Sequence, residues 1–217
     1  MSDVTEQLTA ALQHDRVVST FYRRFVLSSP VENTRAVVTF VEACAARHHG
    51  QHEHAAELIE SLEGDDLLGG GIGSLILTAQ SWAESNRQAF FLLKGVGMIL
   101  KERAIRDIDL IPRTYFDALD GLGTALLGIC ETDEQTVLEY PRQPRVEDER
   151  RVLTAALHIT VGAICSAHSS VGRELKPEQV YMVVGVNAYD AYESVGGTDE
   201  MPNFDNPVAG AWSRNDL

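Results

Sequence analysis

The sequence predicts an all-α protein: a multi-helix bundle of about seven to eight helices with an irregular C-terminal tail. Three observations carry this. Apolar residues recur at spacings of three and four along most of the chain. Prolines and glycines stand at the ends of those periodic stretches. The most valine-rich stretch, after Pro177, is opened by proline, closed by Gly196-Gly197 and too long for a typical strand.

Taken in order, Val4, Leu8, Ala11, Leu12, Val18, Phe21, Phe25 and Val26 give a helix from about Asp3 to Leu27. Ser28-Ser29-Pro30 ends it and opens the next, which reaches about His49 with Val37, Val41, Cys44 and His48 on its apolar side. Gly50 either caps this helix or is passed over at a cost of about 1 kcal/mol relative to alanine. A shorter helix follows to about Glu63, with Ala56, Ile59 and Leu62 on one side. The run from Gly64 to Gly73 reads as a glycine-rich connector and hinge. Ser74 to Asp107 is periodic again, and an interruption near Ser85-Asn86 splits or kinks it.

Pro112 starts a helix through about Cys130, and residues 131–145, with Pro141 and Pro144, read as the longest internal loop. Val146 to Ser169 is polar for one turn and then apolar nearly all round, the mark of a buried helix. With the helix after Pro177 it is expected at the centre of the bundle, where Gly162 and Gly185 let backbones approach closely. Gly121, Ala125 and Gly128 form a small-residue face of the same kind on the preceding helix. Residues 1–197 thus form a single all-helical domain, with division at the 64–73 hinge as the alternative. Residues 198–217 form an extended or disordered tail.

Composition bounds the function. A net charge of −14 over 217 residues makes this an acidic protein. Its surface repels nucleic-acid backbones and anionic membranes, so neither is an expected partner. The cations are 15 arginines and 3 lysines. Arg142, Arg145, Arg150 and Arg151 cluster as an anion site would, but Glu147, Asp148 and Glu149 locally match their charge. Cys44, Cys130 and Cys165 sit far apart in apolar stretches and read as buried, reduced thiols of a cytoplasmic protein. No signal segment is visible, and the apolar stretches read as too short and interrupted to span a membrane.

The most specific chemical feature is a histidine knot: His48, His49, His52 and His54 are four of the seven histidines. Imidazole is the commonest metal ligand and titrates near neutrality. A helix running through Gly50 would put His48 and His52 four apart on one face, with His49 and Glu53 on the next and Glu57 one turn beyond. Zinc, iron or manganese is the metal such a set would take, though zinc wants three or four ligands. A helix ending at Gly50 dissolves the pairing and leaves a solvated polar turn.

Other patterns are incomplete. E-x-x-H, the signature of di-iron bundles, is absent. Glu57 and Glu60 form half of a magnesium-binding carboxylate pattern, but the following helix offers only Glu84. The glycine run lacks a preceding strand and a Gly-Lys-Ser/Thr ending, so it is no phosphate loop. Cys165 and His168 share a helical face within an apolar stretch that makes the thiol inert. In the tail, Phe204, Val208 and Trp212 are spaced as anchors for a groove on this chain, a second copy or another partner.

With no complete catalytic set, the expected function is that of a non-enzymatic helical protein-binding or regulatory protein that self-associates, its partners another protein or a second copy. The alternative is a metal-dependent enzyme or metal sensor built on the 48–54 cluster. No other cofactor is expected.

Overall fold

The computed structural model describes residues 30–107, 109–130, 146–202 and 204. The helix expected over Asp3–Leu27, the loop at 131–145, and Val208 and Trp212 lie outside the described residues. The order is α1 (Pro30–His48), α2 (His52–Ser61), α3 (Asp65–Trp82), α4 (Asn86–Arg106), α5 (Arg113–Cys130), α6 (Val146–Ser170) and α7 (Pro177–Ser194). The fold is an all-α bundle, with no strand among the described residues.

Local signals set the helix ends. Helix α4 begins after the Ala83–Ser85 break, where Ser85 Oγ accepts from the Gln88 amide at 3.3 Å and Gln88 Oε1 accepts from the Glu84 amide at 2.8 Å. These side chains satisfy amides that no helical carbonyl can reach. Pro177 opens α7, where Gln179 Oε1 accepts from the Lys176 amide at 3.0 Å. At its far end the Gly197 amide donates back to the Tyr192 carbonyl at 2.9 Å.

The glycine run departs from the sequence expectation. It is no connector: Asp65–Trp82 form one helix, and it packs against α1, α4, α6 and α7. Leu67, Leu68, Ile72, Leu75 and Ala79 bury one side of it, and burial on this scale outweighs the helix propensity lost at each glycine. The glycines serve close approach. A Cβ on Gly70 would stand 2.6 Å from the Ala36 carbonyl oxygen, and one on Gly71 would stand 2.8 Å from the Leu153 side chain. Ser74 keeps its buried hydroxyl satisfied on the Gly70 carbonyl at 2.5 Å.

The expected centre shifts accordingly. Helix α6 packs on α1, α3, α4, α5 and α7, so it shares the middle with α3, while α7 lies to one side against α1, α3 and α6. Gly162 is exposed with open space around it, so it makes no close approach. Besides α1 with α3, a close helix pair is α4 with α5, where a Cβ on Gly123 would meet the Gly97 carbonyl oxygen at 2.9 Å. Against expectation, Glu147–Ser170 is long and apolar enough to cross a membrane by length and composition. Within the bundle, Val152, Leu153, Ala156, Leu157, Val161 and Ile164 bury the inner side of that helix.

Beyond α7 the chain turns back on itself. Asp199 binds three groups: its carbonyl accepts from Tyr189 Oη at 2.5 Å, and its carboxylate accepts from Tyr192 Oη at 2.7 Å and pairs with Arg35 at 2.6 Å. Arg35 also donates to Tyr192 Oη at 3.1 Å and lies over that ring. Met201 and Phe204 are then buried, and the Phe204 ring fills the space a side chain on Gly185 would need.

Candidate functional site

The histidine knot is resolved by Gly50. Its φ of +78° suits glycine, and the Gln51 amide donates to the Ala46 carbonyl at 2.9 Å while the Gly50 amide donates to the Arg47 carbonyl at 3.1 Å. This doubly bonded helix stop ends α1 at His48, and α2 begins separately at His52. His48 and His52 therefore do not share a helical face. His54 pairs instead with Glu42 at 3.6 Å, where burial raises the Glu42 carboxyl above its ordinary value and His54 opposes that rise. His52, Glu53 and Glu57 are exposed on α2. No group of three or more His, Cys, Asp and Glu side chains is placed to hold a metal ion among the described residues.

His48 is drawn into a different cluster. Its Nε2 lies 3.2 Å from Glu178 Oε1 at the start of α7, and its ring is 5.8 Å from that of Tyr181 one turn further on. The buried Tyr181 hydroxyl shares a short hydrogen bond with Nδ1 of His158 on α6, and His49 stands edge-on to His48 at 5.6 Å. Three helices thus meet through His48, Glu178, Tyr181 and His158, with Cys44 buried beside them.

The electrostatics of this junction follow from burial and neighbours. His158 is pushed down to about 4 by burial, with Arg47 and His48 adding to the shift. Burial raises the Tyr181 phenol well above its usual range and pushes the Cys44 thiol up to about 12. Glu178 is held below the usual carboxylate range by its own backbone amide and then by His48. Burial also raises the Cys165 thiol, with Glu178 adding to it. A neutral imidazole satisfying a buried phenol, next to a thiol held protonated, locks helices together and offers no nucleophile. Sequence periodicity misses this cluster because Tyr181 and His158 look like members of apolar faces. The available signal was His158 itself, an imidazole inside a helix apolar nearly all round, which unlike Thr154 and Thr160 does not bond its own helix backbone and must find a partner elsewhere.

A second feature opens on the other side of the α1 terminus. Helices α1, α2 and α6 line an open cleft of about 590 Å3. Arg47 comes from α1, His52 and Glu60 from α2, and Glu147, Arg150 and Arg151 from α6, over a floor of small apolar residues such as Ala55 and Ala56. Arg151 pairs with Glu147 at 3.3 Å, whereas the buried Nε of Arg150 has no hydrogen-bond partner among the described residues. Of the four arginines clustered in the sequence, Arg150 and Arg151 enter this cleft, and Arg47 joins them from a distant helix. Arg142 and Arg145 lie outside the described residues. Phe204 is covered by its own chain, as described above.

Comparison of the chain with protein-family models, curated proteins and solved structures finds no match.

Proposed function

We propose that this chain is a self-associating helical binding protein whose α4 helices pair across a two-fold axis, and that it binds partners rather than turning over a substrate. The observation that carries the reading is an apolar stripe on the outer side of α4. Phe91, Met98 and Ile105 are 60%, 58% and 67% exposed, at sevenfold spacing along one helix. Apolar side chains at that period form a seam that keeps facing a partner helix. An uncovered stripe of this kind marks an interaction surface.

Charge pattern selects the partner. With Met98 on a two-fold axis and the helices antiparallel, Phe91 of one copy faces Ile105 of the other. The same operation sets Lys94 opposite Glu102. A two-fold interface requires this self-complementarity, in which a residue i that meets j on the second copy is matched by j meeting i. Gly95 has open space around its Cα, so it lets the second backbone approach. The sealed His158–Tyr181 junction and the inert Cys44 thiol favour binding over catalysis.

Charge exchange tests the arrangement. In analytical ultracentrifugation, Lys94→Glu weakens the dimer by placing like charges opposite each other, and Lys94→Glu with Glu102→Lys restores it. A dimer indifferent to both changes would place the interface elsewhere.

A further inference from the structure

We infer that the cleft between α1, α2 and α6 binds a small organic anion, an oxyanion carried on an apolar body. Its three arginines stand against Glu60 and Glu147, which leaves one positive charge in excess inside a protein of net charge −14. Glu147 is already engaged by Arg151 at 3.3 Å. Arg150, which makes no ion pair among the described residues, and Arg47, which makes none either, line the cleft from two helices and present guanidinium groups to an incoming acid. A guanidinium carries five donors, and an oxyanion supplies charged acceptors for those that face the cleft.

Two guanidinium groups from different helices suit carboxylate and phosphate alike, because each presents a planar fork of donors. The apolar body follows from the floor, where Ala43, Ala55, Ala56 and Ile59 present methyl and methylene surface and no charge. The volume of about 590 Å3 is that of a site for a small molecule, larger than a lone inorganic ion needs.

Titration calorimetry on the full chain tests the inference with phenyl phosphate, benzoate, inorganic phosphate and benzyl alcohol. Phenyl phosphate or benzoate binds saturably at one site, inorganic phosphate binds at least about tenfold more weakly, and uncharged benzyl alcohol does not bind. The ratio of phenyl phosphate to benzoate affinity tells which headgroup the arginines prefer. Arg47→Gln and Arg150→Lys each lower the affinity about tenfold or more, the second because it keeps the charge and loses the fork. Ala56→Trp, at an exposed position on α2, fills the cleft without altering an arginine. It abolishes binding and keeps the test open if an arginine variant unfolds. Three results overturn the inference: no saturation up to about 10 mM phenyl phosphate or benzoate, equal binding of benzyl alcohol, or undiminished binding in folded variants.

Discussion

The apolar surfaces of α7 and α4 are treated in opposite ways. On α7 the small-residue position Gly185 is covered by Phe204, which the chain brings back and which is 1% exposed. On α4 the open position Gly95 lies in a stripe that nothing described covers, with Phe91, Met98 and Ile105 each more than half exposed. The covered surface is held by polar fasteners, Arg35, Tyr189 and Tyr192 gathered on Asp199. The open surface carries Lys94 and Glu102 beside the stripe, which the proposed two-fold would set opposite each other. The chain closes one apolar surface with its own segment and leaves the other exposed among the described residues, and the exposed one is the surface proposed for association.

The largest effect that can break this comparison is loss of the cover. Phe204→Ala should destabilise the protein by about 3 to 5 kcal/mol in urea unfolding, the range for removing a buried phenylalanine. A loss near that of a surface substitution would mean that the return segment merely lies on α7. Gly185→Ala should also destabilise the fold, since the added methyl occupies the space of the Phe204 ring.

Next in size is the pH response of the junction beneath α7. His158 falls from its ordinary 6.5 to about 4 in the fold, so between those values the unfolded chain binds more protons than the folded one. Stability is then complete above about pH 6.5 and declines as pH falls toward 4, by up to about 3 kcal/mol. His158→Gln should flatten the profile across that window, and an unchanged slope would show that His158 is not held neutral.

The fastener at Asp199 has a smaller effect. Asp199 is held below the usual carboxylate range first by the Tyr192 hydroxyl and then by Arg35. Its stabilising share is therefore present above the ordinary aspartate value and lost as pH falls below it. Asp199→Asn should shift the unfolding midpoint less than Phe204→Ala does and leave the Phe204 environment intact by fluorine or carbon NMR.

Metal should have no effect at all. Because Gly50 divides His48 from His52, chelation should leave the melting temperature unchanged. Stoichiometric zinc, iron or manganese in untagged protein, lost in His48→Ala with His52→Ala, would contradict that.

Much of the fold was legible in the sequence. Periodicity, Pro177 and Gly196-Gly197 mark α7, and the Ser85 break separates α3 from α4 where local capping chemistry says it should. The glycine run from Gly64 to Gly73 misleads because propensity is a local quantity, whereas Gly70 and Gly71 are set by the Ala36 backbone and the Leu153 side chain. The histidine knot was visible, but its outcome turned on one dihedral at Gly50. The cleft was half visible: Arg150 and Arg151 are adjacent in sequence, but nothing in spacing links them to Arg47. The α4 stripe was the least legible, since periodicity shows that Phe91, Met98 and Ile105 are apolar and cannot say which face stays uncovered.

The open α4 stripe is proposed to join two copies. Sedimentation equilibrium of the full chain beside Met98→Glu tests it most directly, because that substitution sets two carboxylates against each other on the two-fold axis. The expected result is a wild-type dimer and a Met98→Glu monomer with the same circular dichroism. A wild-type chain that stays monomeric at every concentration, or a dimer that survives Met98→Glu unchanged, would contradict it.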